Sequence, residues 1–339
     1  MTWKLLIKYF FIYALAFVSA IAISLGLVYF LKADPIVAIK GAVETLGTLH
    51  GSTEVLTRMA PILLVGLAVT VAFRCKVINL GAEGQFWMGA IAATGLGLNL
   101  SLNPVLFIPL IFLASFMAGG LWAAIPGLLK AKYGVNEMVF TLMMTFIAIE
   151  FGTWLFEYPW RDITASHSQT PLINSSAWLP RLIPGTRLHA GVFLIPISIL
   201  FVYGLLWKTP LGYNIRAVGI SAKAAEYAGI NPKKNIVLSM FISGGLAGTA
   251  GMIEITGVFR LMIEGISLGY GFYAITAGLL GKLNPFGVAL AALLLSTISV
   301  GADTMQRTVG APVYLVFVIQ SLVLLFVILA EYVVRRSVD

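Results

Sequence analysis

Charge is scarce in this sequence. Only 11% of its 339 residues are Asp, Glu, Lys or Arg, against about 25% in a soluble globular domain. That shortage excludes a water-soluble fold of this length, because too little polar surface is available to cover it. Cysteine occurs once, as Cys75, so no internal disulfide can form. It lies between Arg74 and Lys76 and reads as an incidental residue. His50, His167 and His189 are scattered without metal-ligand spacing, so the sequence offers no metal site. There is no nucleophile elbow, no His-Glu-x-x-His and no G-x-x-x-x-G-K-[ST] phosphate loop. The sequence therefore provides no catalytic residues, and the enzyme class is disfavoured.

What is present is apolar chain, 59% hydrophobic with a mean hydropathy of +0.96. A bilayer span needs about 20 mostly apolar residues. About ten stretches qualify, near 10–31, 56–73, 78–99, 104–129, 136–156, 190–207, 236–257, 268–283, 285–303 and 312–331. The expectation is an all-α, polytopic membrane protein whose residues 1–339 form one transmembrane domain. Residues 1–50 hold the first span and an outer segment. The start Met-Thr-Trp-Lys is basic, but the apolar run behind it is too long for a signal peptide, so it reads as a retained span. The segments 78–99 and 268–283 are rich in glycine and polar residues. Each either crosses fully or is a broken or re-entrant helix, which is tolerated only inside protein or facing water.

The net charge of +8 does not imply nucleic acid, because the basic residues are dispersed in short loops. With both termini inside, Arg74, Lys76, Lys130, Lys132, Lys208, Lys233 and Lys234 all fall on inner stretches, as the positive-inside rule requires. Residues 157–189 then form an outer loop and 208–235 an inner one. Within the inner loop Ser221 can cap a helix, Ala222 to Ala228 favour one, and Gly229 with Asn231-Pro232 stops it. So short a helix is marginal alone and needs a packing partner.

A short internal echo links two places. Ile78-Asn79-Leu80-Gly81 is matched by Ile266-Ser267-Leu268-Gly269, and Asn103-Pro104 by Asn284-Pro285. The offsets are 188 and 181 residues. One copy begins inside and the other outside, the pattern of an inverted repeat with its pathway at the repeat interface.

Ionisable groups in a bilayer are costly and so point to function. Glu83, Glu137, Glu150 and Glu254 lie in or near spans. Glu137 and Glu83 also suit helix N-termini, which favour an acid. Candidate pathway residues are Asn79, Glu83, Gln85, Phe86, Glu150, Glu254, Tyr270 and Phe272. The aromatics can stack on sugars or bases, although interface and packing roles place them equally well.

The run Thr209–Gly251, with I-N-L-G-A-E-G-Q at 78–85, G-V-N-E-M-V-F-T-L-M-M at 134–144, S-L-G-Y-G-F at 267–272 and N-P-F-G at 284–287, resembles permease subunits of bacterial ATP-binding-cassette importers. The branch is the one for ribose-type sugars and nucleosides, related to branched-chain amino acid permeases, with wording closest to nucleoside permeases. The resemblance covers about residues 55–331.

It implies a permease in the bacterial cytoplasmic membrane that carries nucleosides or a related simple sugar. A separate cytosolic ATPase, holding ATP and Mg, would dock on a coupling helix at Ser221, Ala222, Lys223, Ala224, Ala225, Glu226, Tyr227, Ala228 and Gly229. A second permease subunit, homologous or identical, and an extracytoplasmic substrate-binding protein would complete the assembly. Membrane lipid surrounds it, and the chain itself needs no cofactor. The competing reading is a solitary secondary transporter or channel for a small polar solute, which would not need an exposed docking helix.

Overall fold

The computed structural model describes residues 34–310 continuously apart from residue 268, together with positions scattered through 12–30 and 318–333. Among the described residues the chain is all-α. Extended pairing is limited to two isolated bridges, Gln169 with Ile263 and Arg181 with His189. The chain divides into two compact units, Met1–Val55 with Leu293–Asp339, and Leu56–Ala292.

In the first unit, α1 (Pro35–Leu46) occupies what hydropathy leaves as an outer segment. Proline at its first position needs no N–H partner there, and the Asp34 carboxylate accepts from the Ile36 N–H at 2.8 Å. A Cβ added at Gly41 would press on the Thr308 side chain. The expected spans 10–31 and 312–331 fall largely outside the described residues.

The second unit takes most of α2 (Leu49–Arg74), then α3 (Ala82–Asn99), α4 (Pro104–Tyr133), α5 (Glu137–Glu157), α6 (Leu194–Lys208), α7 (Pro210–Ile220), α8 (Ala222–Tyr227), α9 (Pro232–Ile253), α10 (Tyr270–Leu280) and the start of α11 (Pro285–Val309). Among the described residues, six helical stretches are long and apolar enough to cross a membrane. They are α2, α4, α5, Ala190–Lys208, Pro232–Phe259 and Pro285–Thr308. Pro232–Phe259 is α9 extended by a π-helical turn, Glu254–Phe259. Leu63, Val65, Leu67, Ala68 and Val69 of α2 are wholly buried, which makes this helix the core of the unit.

Two expected crossings take a different form. The stretch at 78–99 becomes helical only from Ala82, because Ile78 to Gly81 form a turn ahead of α3. The stretch at 268–283 yields α10, which has 11 residues. At 1.5 Å per residue it covers about 16 Å, roughly half the ~30 Å hydrocarbon core. The inner loop is also more helical than its composition suggests, since α7 precedes the short helix α8.

Lipid tails are as apolar as leucine, so helices in a bilayer associate through close packing of small residues and interhelical hydrogen bonds. Helices α4 and α9 touch at backbone distance where Gly119 faces Gly244 and Gly248. Helix α3 joins them where Gly89 faces Gly248 and Gly251 faces the Phe86 carbonyl. The Ser115 hydroxyl on α4 donates to the Gly89 carbonyl at 2.9 Å.

Candidate functional site

The turn before α3 is a buried polar network. Asn79 is fully buried and Gln85 nearly so. The Asn79 amide donates to Gln85 Oε1 at 2.9 Å and to Ser243 Oγ at 3.0 Å. Its carbonyl accepts from the Gly81 N–H and from Gln85 Nε2, both at 3.0 Å. The turn is held from α5 as well. The Leu80 N–H donates to Thr141 Oγ1 at 3.2 Å, and the Ile78 N–H donates to the Glu137 carboxylate at 3.3 Å. Gly81 is pressed so closely on Thr141 that no side chain fits.

Glu83 caps a different helix. Its carboxylate accepts from the Gly271 N–H at 2.6 Å and from the Ser267 hydroxyl. Both donors belong to the start of α10, where Ser267, Tyr270 and Glu83 itself are nearly inaccessible. The first N–H groups of a helix have no partner within it. A carboxylate placed there meets them and the positive end of the helix dipole together. Glu83 also lies in the first turn of α3, so it serves two helix starts.

The two echoed stretches are built alike. Asn79 accepts from Gly81 two residues on, and Ser267 accepts from Gly269 two residues on, at 3.3 Å. Asn103 and Asn284 each cap a helix opened by proline, accepting from Val105 and Phe286 at 3.0 Å.

Five of the candidate pathway residues gather here. Asn79, Gln85 and Glu83 form the two networks, and Phe86 meets Tyr270 edge to face at 6.4 Å between ring centroids. The others do not join them through any of these contacts. Glu150 and Phe272 are exposed on their helices, while Glu254 is buried in the π-helical turn. Sequence reasoning missed Ser243, Thr141 and Ser267 as partners. Only Ser267 carried a signal, by standing opposite Asn79 in the echo.

At the end of the unit where α2 stops, the inner-loop residues converge. The Ser221 hydroxyl accepts from the Ala224 N–H at 3.3 Å and starts α8. Gly229, with φ of 82°, closes it, and its N–H donates to the Glu226 carbonyl. Ala225 is buried, whereas Ala222, Lys223, Ala224, Glu226, Tyr227 and Ala228 are exposed, Tyr227 by 94%. Gly219 on α7 abuts the Arg74 carbonyl. The Arg74 guanidinium donates to the Leu283 carbonyl from Nε at 3.0 Å and from Nη2 at 2.8 Å, and lies 5.1 Å from the Trp207 ring centroid. Beside α8, a cavity of about 520 Å³ is lined by the paired Lys130 and Glu137 and by Lys223, Glu226 and Lys233.

The opposite end is closed by residues 157–189. The N–H groups of Thr170, Ile173 and Leu179 donate to the carbonyls of Met262, Arg260 and Thr256 at 2.9 to 3.0 Å. The Asn174 N–H reaches the Gly97 carbonyl at 2.8 Å, so α3 runs from one end of the unit to the other. His189 is buried, with its ring against Gly257, and its Nδ1 accepts from the Gly191 N–H at 3.1 Å. Burial, followed by the charges of Arg181 and Arg260, lowers its pKa to about 4.

Six apolar helices long enough to cross a bilayer, closely packed through glycine, define a multi-pass membrane protein. Residues 51–336 match the branched-chain amino acid transport system / permease component family, and the chain belongs to it. It is 37% identical to the glucose ABC transporter permease protein TsgB13 of Haloferax volcanii, over 87% of this chain and 80% of that one. It is 34% identical to the guanosine ABC transporter permease protein NupP of Bacillus subtilis, over 85% and 84%. The nucleoside ABC transporter permease protein NupB of Lactococcus lactis is 31% identical, over 84% and 81%. No solved structure matches.

Proposed function

We propose that this chain is the translocating subunit of an ABC importer for nucleosides. It works beside a second permease in the bacterial cytoplasmic membrane, with both termini in the cytosol. A cytosolic ATPase binds ATP and Mg, and an external binding protein delivers the substrate. Three relatives carry the names guanosine, nucleoside and glucose permease. A simple sugar is therefore the second reading for the substrate.

The observation that carries the mechanism is α8. Its outer face is exposed while Ala225 anchors it, and α7 seats Gly219 on the end of α2. From there Arg74 grips the turn between α10 and α11. A push on α8 thus meets a short rigid path to the broken helix α10, whose other end rests on Glu83. Movement of such half-helices against their neighbours is a means of alternating access. Ten crossings in two inverted halves fit this scheme. Glu83 and Gly271, which touch, stand 188 residues apart, the same separation as the echoed stretches. Equivalent residues of two halves meet where a pseudo-two-fold axis passes between them.

The test is Tyr227→Glu combined with Lys223→Glu, both on the exposed face. Co-purified ATPase and uptake of labelled guanosine and glucose are measured in cells carrying the whole transporter. Loss of both ATPase and uptake, at unchanged permease abundance, is expected. Wild-type levels of both would overturn the coupling assignment, and uptake of glucose alone would overturn the nucleoside reading.

A further inference from the structure

Beside the α8 cavity lies a second groove of different character. It has a volume of about 430 Å³ and lies between the end of α4 and the start of α9. Its floor is Leu128, Val237 and Leu238, and its rim is Lys132, Lys233 and Lys234. The floor residues belong to helices apolar and long enough to span a bilayer. The rim lysines stand at the ends of those helices and are exposed. No carboxylate lines the groove. Among the described residues, no ion pair is formed by any of the three lysines; the acid nearby in sequence, Glu137, is taken by Lys130.

We infer that this groove binds one anionic phospholipid, its phosphate among Lys132, Lys233 and Lys234 and its upper acyl chain on Leu128, Val237 and Leu238. Three ammonium groups at the level of a helix end above an apolar trough match an amphipathic anion. Basic pockets between spans on the cytosolic side are suited to acidic headgroups. The groove is preformed, because Gly119 and Gly244 lock α4 and α9 at backbone distance and Gly127 packs on the Met240 side chain closer to the groove. A volume of this size falls within the range of about 300–1,000 Å³ for small-molecule sites. A docked protein fits less well. No residue of α8 lines this groove, whereas Ala222, Lys223 and Glu226 all line its neighbour. The inference rests on the proposed orientation, which puts this end at the anionic inner leaflet. A lipid held here would brace α9 beside the coupling helix.

The intact transporter, with its ATPase and partner permease, would be delipidated and titrated with dioleoyl phosphatidylglycerol or dioleoyl phosphatidylcholine. Bound lipid would be counted by native mass spectrometry. The variant Lys132→Gln/Lys233→Gln/Lys234→Gln changes only exposed side chains. It should lose apparent affinity for the anionic lipid by on the order of 100-fold, since each lysine near such a charge contributes about fivefold. Phosphatidylcholine binding should not change. The triple Lys→Arg variant should retain the lipid, and Leu238→Trp should weaken it by filling the trough. Equal phosphatidylglycerol occupancy in wild type and the Gln variant would overturn the proposal. So would loss of the ATPase subunit with lipid occupancy unchanged, which would make the groove a protein contact. Failure of α8 to dock the ATPase would show separately in the Tyr227 experiment and would leave lipid counts as they were.

Discussion

The Glu83 carboxylate accepts the Gly271 backbone N–H at 2.6 Å, across 188 residues of chain. An acid that looks like a ligand group in sequence is thereby committed to holding a helix start. Glu83→Ala leaves the Gly271 N–H and the Ser267 hydroxyl buried without an acceptor, at a cost of about 2–4 kcal/mol. Glu83→Gln keeps one acceptor but turns an amide N–H group toward the second donor, and costs about 1 kcal/mol. Thermal unfolding of the detergent-solubilised transporter should rank wild type above E83Q and E83Q above E83A. Identical melting for all three would show that the contact does not hold α10 in place.

A cycle of two changes tests the neighbouring network. Asn79 and Ser243 are joined by a buried hydrogen bond of 3.0 Å between α9 and the turn before α3. Asn79→Ala and Ser243→Ala should each destabilise. The pair together should cost less than their sum by about 1 kcal/mol. Simple additivity in chemical or thermal unfolding would mean that this hydrogen bond carries no coupling.

The sequence made the class and helix α8 readable for a physical reason. Apolar runs and small-residue pairs act locally, and Ser221, the alanines and Gly229 form a start, body and stop within a few residues. The echo at Asn79 and Ser267 was equally readable, and the structure uses the two residues alike. What stayed hidden was whatever depends on partners far along the chain. Nothing near Glu83 in sequence says that it serves Gly271 rather than α3 alone. Likewise, nothing near Ala225 says that this alanine faces inward and Tyr227 outward. The length of α10 was hidden too. The offset falls by seven, from 188 to 181, between the echoed pairs, and α10 is seven residues shorter than α3.

His189 makes the closure of the end covered by residues 157–189 sensitive to acid. Its folded pKa is lowered to about 4, while an unfolded histidine titrates near 6.5. The unfolded chain therefore binds the proton first. Stability from this residue is whole above pH ~6.5 and falls as the pH drops towards 4, by roughly 3 kcal/mol in all. His189→Asn keeps an acceptor for the Gly191 N–H but does not titrate. Melting temperatures at pH 7.5 and pH 4.5 should differ less in H189N than in wild type. An equal acid-induced drop in both would place the titrating group elsewhere.

Arg74 supplies the last test, because it separates fold from transmission. Its guanidinium grips the Leu283 carbonyl twice and stacks near Trp207, while its own carbonyl receives Gly219. Arg74→Lys keeps the charge and loses the forked geometry, which a lysine cannot reproduce. The lost hydrogen bonding is worth about 1.5–3 kcal/mol, within what a well-packed bundle can absorb. Helix α8 and its exposed face would stay intact, so ATPase docking should persist. The path from α7 to the turn after α10 would slacken. In proteoliposomes R74K should still hydrolyse ATP but move several-fold less substrate per ATP consumed. If transport and hydrolysis fall together, Arg74 supports the assembly as a whole. An unchanged ratio at unchanged rates would mean that Arg74 carries no transmission.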